Sequence, residues 1–231
     1  MSIFGTRIVH SGVGPLTQIS REQTDSHLKL ERQVEFGHLE WNETTHVQPL
    51  LRAAAVWEDF PSVGYKLVRS EFKAGDEDQR LDLLYLREDG ALLPCELKIG
   101  GKNHDTVGQL LRYIADLYFQ IVDLEWLRRH HDELVKSLGC VESVNENMRD
   151  GFNRFLAKNR IEDRQVRFLP RAGLIIDEAF PPQLRKTIRY LNEYCGFTIR
   201  TLQMKTFVDY YSCTHPHLGN YLFRIDLIPV D

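Results

Sequence analysis

The stretch RLDLLYLREDGALLPCELKI, residues 80–99, constrains the fold more than any other part of the chain. Two apolar runs of strand length flank Asp89-Gly90, a dipeptide that strongly signals a tight hairpin. A strand points every second residue to the same face. Asp82 therefore points away from Leu81 and Leu83, and Glu96 and Lys98 share a face that Cys95, Leu97 and Ile99 do not. Folding the first run back on the second brings Asp82 near Glu96 and Lys98. Such charges have an ordinary reading, a solvated face or an ion pair at a sheet edge. They also have a chemical one, metal ligands beside a catalytic lysine.

The rest of the chain supplies the frame. Residues 1–41 alternate apolar and polar positions around TRIVH and HLKLERQVEF, which predicts a small N-terminal β unit. TTHVQPLLRAAAVWEDF carries apolar residues at helical spacing, and YKLVRSEF reads as a further strand before the hairpin. TVGQLLRYIADLYFQIVDLEWLRRHH predicts one long amphipathic helix with Leu110, Ile114, Leu117 and Ile121 on one side. A charged helical stretch follows to about residue 165. RAGLIID then reads as a buried strand, PPQLRKTIRYLNEY as a helix, and FTIRTLQMKTF as another strand. Strands followed by β-α-β indicate an α/β sheet with helices packed on it. Residues 42–231 are expected to form the main domain, with a helical insertion near 125–165.

Two carboxylates converging on one face repel unless a cation joins them. Mg²⁺ takes one or two carboxylates together with waters and substrate phosphate oxygens. A lysine beside them can orient water and steady developing negative charge. These are the parts of metal-assisted phosphodiester hydrolysis. Gln109 and Tyr113 lie four apart, on one face of the helix after the ELK strand. That spacing offers Gln109 to the metal water or the phosphate, and Tyr113 with Arg112 to a nucleic-acid backbone.

Asp82 followed by Glu96-Leu97-Lys98, and then by Gln109-Leu-Leu-Arg-Tyr113, resembles the PD-(D/E)XK nuclease superfamily with the QxxxY motif of its RecB-like branch. The phrasing is most similar to the nuclease domain of the NucS endonucleases, over roughly residues 45–125. The resemblance implies a restriction-endonuclease-like mixed central sheet flanked by helices, with a small N-terminal β unit for dimerisation or DNA binding. It implies a metal-dependent DNA endonuclease serving repair, restriction or phage defence. Asp82 and Glu96 would hold Mg²⁺, with Mn²⁺ as a substitute, and Lys98 and Gln109 would complete the catalytic set. Arg80, Lys102, Arg112, Tyr113, Arg160 and Arg164 are the residues expected to meet DNA. Leu81 stands where the superfamily has its proline, and the N-terminal β unit is shorter than a full NucS-type domain.

Other features weigh against or beside this reading. The net charge is −4, so nucleic-acid binding calls for a local basic patch. Arg149, Arg154, Lys158, Arg160, Arg164, Arg167 and Arg171, with Arg185, Lys186 and Arg189, form the best candidate, against the plain alternative of a charged helix face. Glu71-Phe72-Lys73 repeats the acid-x-lysine spacing at the end of a strand, without a QxxxY helix after it. His130-His131 reads as a solvated helix end, and Cys213, His215 and His217 as a weak zinc motif lacking a fourth ligand. Four dispersed cysteines, no run near the ~20 apolar residues of a membrane span, and no secretion-signal pattern at MSIFGTRIVHSGVG predict a cytoplasmic protein. A catalytically inert nucleic-acid-binding or assembly module, and an α/β domain with a structural ion-pair cluster, are the competing readings.

Overall fold

The computed structural model describes residues 4–11, 32–34, 48, 51–52, 64–73, 80–99, 105–209 and 220–229, with the backbone alone at 4–11, 32–34, 72–73, 205–209 and 220–229. Its strands are β1 (Phe4–Ser11), β2 (Arg32–Val34), β3 (Tyr65–Lys73), β4 (Arg80–Arg87), β5 (Ala91–Lys98), β6 (Arg167–Phe168), β7 (Ala172–Asp177), β8 (Thr198–Asp209) and β9 (Asn220–Pro229). The helices described over their full length are α1 (Thr106–Tyr118), α2 (Leu124–Ser137), α3 (Glu142–Lys158) and α4 (Pro182–Tyr194). All these strands belong to one sheet in the order β1-β9-β8-β7-β5-β4-β3, with β2 paired to β8 and β6 to β5. The fold is α/β, a mixed sheet flanked by helices. β5, β7 and β8 run parallel, as the intervening helices require. The described strands of the N-terminal stretch, β1 and β2, hydrogen-bond to β9 and β8.

The hairpin forms where Asp89-Gly90 predicts it. Gly90 has φ +80°, and a Cβ there would lie 2.6 Å from the Gln165 carbonyl oxygen, so only glycine fits this corner. Leu84 pairs with Pro94 and Leu86 with Leu92 across the ladder. All eight residues of β5 are buried, because helices cover both faces of this central strand.

Side-chain parity sorts those faces. Leu83, Tyr85, Leu93, Cys95, Leu97, Leu174 and Ile176 pack with Leu51, Leu134 and Val135 on one side. Leu84, Leu86 and Leu92 pack with Tyr113 and Leu117 on the other, continued by Ile175 and Ile199 against Leu110 and Ile114. α1 approaches β7 so closely that a Cβ on Gly173 would meet Leu110 Cδ2 at 2.8 Å.

The single helix expected over 106–131 is two helices. α1 has 13 residues, about 20 Å at 1.5 Å each, which suits the length of an eight-residue strand beneath it. A continuous helix would overhang the sheet. The chain instead breaks after Tyr118, and Asp123 restarts it by accepting a hydrogen bond from Trp126 N at 2.7 Å. Asp163 Oδ1 accepts from Leu124 N at 2.9 Å. Ile121, which the periodicity puts on the apolar face, falls in the break and is 92% exposed.

The solvated helix end expected at His130-His131 is also corrected. His131 is buried, stacks on Phe152 with ring centroids 4.1 Å apart, and places Nδ1 3.0 Å from the Leu67 carbonyl oxygen. α2 must cover the sheet edge at β3, and that geometry turns His131 inward.

Candidate active site

The β4–β5 ladder ends beside the charged residues. Leu83 pairs with Cys95, so Asp82 and Glu96 occupy the next antiparallel position, on the face covered by α1. Asp82 is half-buried, whereas Glu96 and Lys98 are only 2% and 6% exposed. Asp82 Oδ2 accepts a hydrogen bond from Leu97 N at 2.8 Å. Lys98 Nζ lies 2.7 Å from Glu96 Oε1. The repulsion expected between two bare carboxylates is therefore moderated within the protein, by a backbone N–H and by the neighbouring ammonium. Removing Glu96 would leave Lys98 buried beside the lost partner. Alanine at 96 is therefore expected to destabilise the fold, contrary to the relief that carboxylate repulsion alone predicts.

Asp177 is the member of this site that sequence reasoning missed. It closes β7 opposite Lys98 in the parallel register, is 1% exposed, and accepts a hydrogen bond from Ala179 N at 3.2 Å. The two Cα atoms stand about 4.8 Å apart, the spacing of neighbouring strands. The signal available was an acid ending the apolar run AGLIID. Gln48, also not singled out, is buried and donates to the Asp82 carbonyl at 3.4 Å.

α1 roofs the site. Tyr113 is 4% exposed and donates its hydroxyl hydrogen to the Arg80 carbonyl at 2.7 Å. Burial, then the carboxylates of Glu96 and Asp82, push its pKa up to about 12. Tyr113 is thus corrected from a nucleic-acid contact to a buried strut that ties α1 to β4 two residues before Asp82. One turn earlier, on the same helix face, Gln109 keeps Oε1 buried with no hydrogen bond among the described residues. That orphaned acceptor, with two carboxylates just beyond the paired ladder on the same face, suits a hydrated Mg²⁺, which needs few protein oxygens. Among the described residues no group of three or more His, Cys, Asp or Glu side chains is placed to hold a metal ion.

The cations expected to meet DNA are spread out. Arg80 is exposed at the start of β4, 3.7 Å from Glu71, and Arg112 is exposed and paired with Asp105 at 3.0 Å. Lys102 lies outside the described residues, as do Cys213, His215 and His217. Arg164 pairs with Glu162 at 2.9 Å. The segment from Arg160 to Phe168 sits at the hairpin end, where Arg167 and Phe168 pair with Ala91 and Leu92. Glu96 is about 17 Å further along β5, at ~3.3 Å per residue. Three cations of the basic stretch hold the fold together: Arg149 bridges Asp132 and Glu142, Arg167 donates to the Gln165 carbonyl, and Arg171 to the Cys195 carbonyl.

Comparison with protein-family models, curated proteins and solved structures yields no match to this chain. Among the described residues no helix is long and apolar enough to cross a membrane.

Proposed function

We propose that this protein is a metal-dependent endonuclease that hydrolyses DNA phosphodiester bonds, built on a PD-(D/E)XK-type, restriction-endonuclease-like core. The observation that carries the reading is the placement of Asp82, Glu96 and Lys98 on one face of adjacent central strands, under a helix that presents Gln109. Asp82 and Glu96 would hold Mg²⁺ or Mn²⁺, which when bound supplies an activated water and neutralises phosphate charge. Lys98 keeps a positive charge at the site and steadies the phosphate as negative charge develops on it. Gln109 Oε1 accepts a hydrogen bond from the attacking water and so orients it. Tyr113 and the Leu97 N–H act on position alone, holding α1 over β4 and fixing Asp82. The protein acts in the cytoplasm, on DNA, as a homodimer that brings one site to each strand.

One observation favours a second reading. Glu96 Oε1 and Lys98 Nζ already satisfy one another at 2.7 Å, which suits a structural pair in a catalytically inert nucleic-acid-binding or assembly module. A panel of labelled single-stranded, duplex and branched DNAs and RNAs separates the two, incubated with Mg²⁺, Mn²⁺ or EDTA. The enzyme reading requires cation-dependent cleavage of DNA. DNA binding without cleavage under any condition replaces it with the inert module. Sedimentation across a concentration series tests the dimer, and an invariant monomer with and without DNA removes it.

A further inference from the structure

Among the described helices, three close on a left-handed residue, and one of the three is not glycine. α2 ends on Gly139 at φ +66° and α4 on Gly196 at φ +68°, whereas α3 ends on Arg160 at φ +53°. The bonds from Ile161 N to the Leu156 carbonyl, 3.0 Å, and from Arg160 N to the Ala157 carbonyl, 3.1 Å, form the closing pattern that glycine ordinarily serves. An L side chain is strained in that conformation. The fold alone would be better served by glycine at 160.

The arginine side chain lines a cleft. A concavity of about 420 Å³ opens between α2 and the end of α3, bordered by Arg128, Asn153, Leu156, Arg160, Ile161 and Glu162. Arg128 Nε donates to Asn153 Oδ1 at 3.3 Å, and neither Arg128 nor Arg160 pairs with an acid among the described residues. Glu162, the acid on the rim, is engaged by Arg164 at 2.9 Å and caps the 3₁₀ turn at Asp163–Gln165. The cleft therefore joins two guanidinium groups with no acid partner among the described residues, an amide, and an apolar floor of Leu156 and Ile161.

We propose that this cleft binds a nucleoside phosphate, with the phosphate between Arg128 and Arg160 and the base over the apolar floor. Guanidinium groups match phosphate oxygens in pairs. The volume falls in the range of small-molecule sites and is generous for a bare oxyanion. A cation at a helix C-terminus also offsets the helix dipole. Lys158 in the last turn of α3 already supplies that charge, and it does not account for a left-handed arginine. The site lies at the hairpin end of the sheet, and the proposal does not depend on the acid–lysine chemistry at the other end.

The test is calorimetric titration of the full chain with inorganic phosphate, AMP, ATP and a 5′-phosphorylated oligonucleotide. Arg160→Gly should melt no lower than wild type, because it relieves the backbone, yet bind nucleotide about ten-fold or more weakly. Arg128→Ala should weaken binding similarly, and Arg129→Ala, outside the cleft, should leave it unchanged. Binding of AMP supports a free nucleotide as the ligand, and binding of the oligonucleotide alone supports a chain end. Inorganic phosphate binding as tightly as AMP overturns the nucleoside assignment. Wild type that binds none of the four at millimolar concentration, or Arg160→Gly that binds as wild type does, overturns the site.

Discussion

The chain contains the same acid-x-lysine triplet twice, and the two copies have different surroundings. Glu96-Leu97-Lys98 ends β5, a central strand with all eight residues buried, and its glutamate and lysine meet at 2.7 Å. Glu71-Phe72-Lys73 ends β3, the last strand of the sheet, and Glu71 is exposed with φ +49° and a loose contact of 3.7 Å to Arg80. Beside the first stands Asp82 on β4, with Asp177 on β7. In the second, the glutamate faces solvent. An ion pair inside the sheet loses hydration and is worth keeping only with close partners, whereas one at an exposed edge contributes little either way. Position in the sheet, and not the triplet, separates a site from a strand end.

The strongest way to break this contrast is to remove a carboxylate from each copy. Glu96→Gln and Asp82→Asn, which preserve volume, should reduce cation-dependent DNA cleavage to background while circular dichroism shows the fold retained. Cleavage persisting in both would take the chemistry away from β4 and β5. Lys98→Ala comes next, with a rate loss on the order of a hundred-fold and cation binding retained, since the ammonium acts on charge and is not a ligand. A variant that loses cation affinity as completely as Glu96→Gln would reassign the lysine.

The third prediction sharpens what β3 does instead. α2 packs on β3 through His131, and burial lowers that imidazole's pKa from 6.5 to about 4. The unfolded chain then takes up the proton more readily than the folded one. Stability is fullest above about pH 6.5, falls as the pH drops toward 4, and levels off below. The whole loss is about 3 kcal/mol. Urea unfolding at pH 7 and pH 4.5 measures it, and His131→Phe should flatten that part of the slope. An unchanged slope would move the pH dependence elsewhere. The smallest expected effect is that of Glu71→Ala, with cleavage unchanged and stability within about 0.5 kcal/mol of wild type. A loss of cleavage there would erase the distinction between the two triplets.

Much of the site was legible before any fold was in hand, because its signals are local. Asp89-Gly90 forces the turn, and period-two alternation assigns Asp82, Glu96 and Lys98 their parity. The spacing of Gln109 and Tyr113 places both on one helix face. Those three statements need only backbone geometry over short spans, and they also imply an α/β sheet with helices on it. What they could not contain is which surface each residue meets. Tyr113 faces the Arg80 carbonyl, not solvent, because α1 lies over β4. His131 is buried because α2 covers an edge strand, and Ile121 is exposed because α1 stops at the end of the sheet. Asp177 joins Lys98 only through parallel pairing across the crossover that contains α1, α2 and α3. Arg160 is strained only at the end of an actual helix, and Arg160 and Arg164 lie at the other end of β5 from Glu96 only because β6 pairs beside the hairpin. Each of these depends on contacts between segments far apart in the chain. Local residue pattern carries parity and turns, but the choice of neighbour is made by packing the whole sheet.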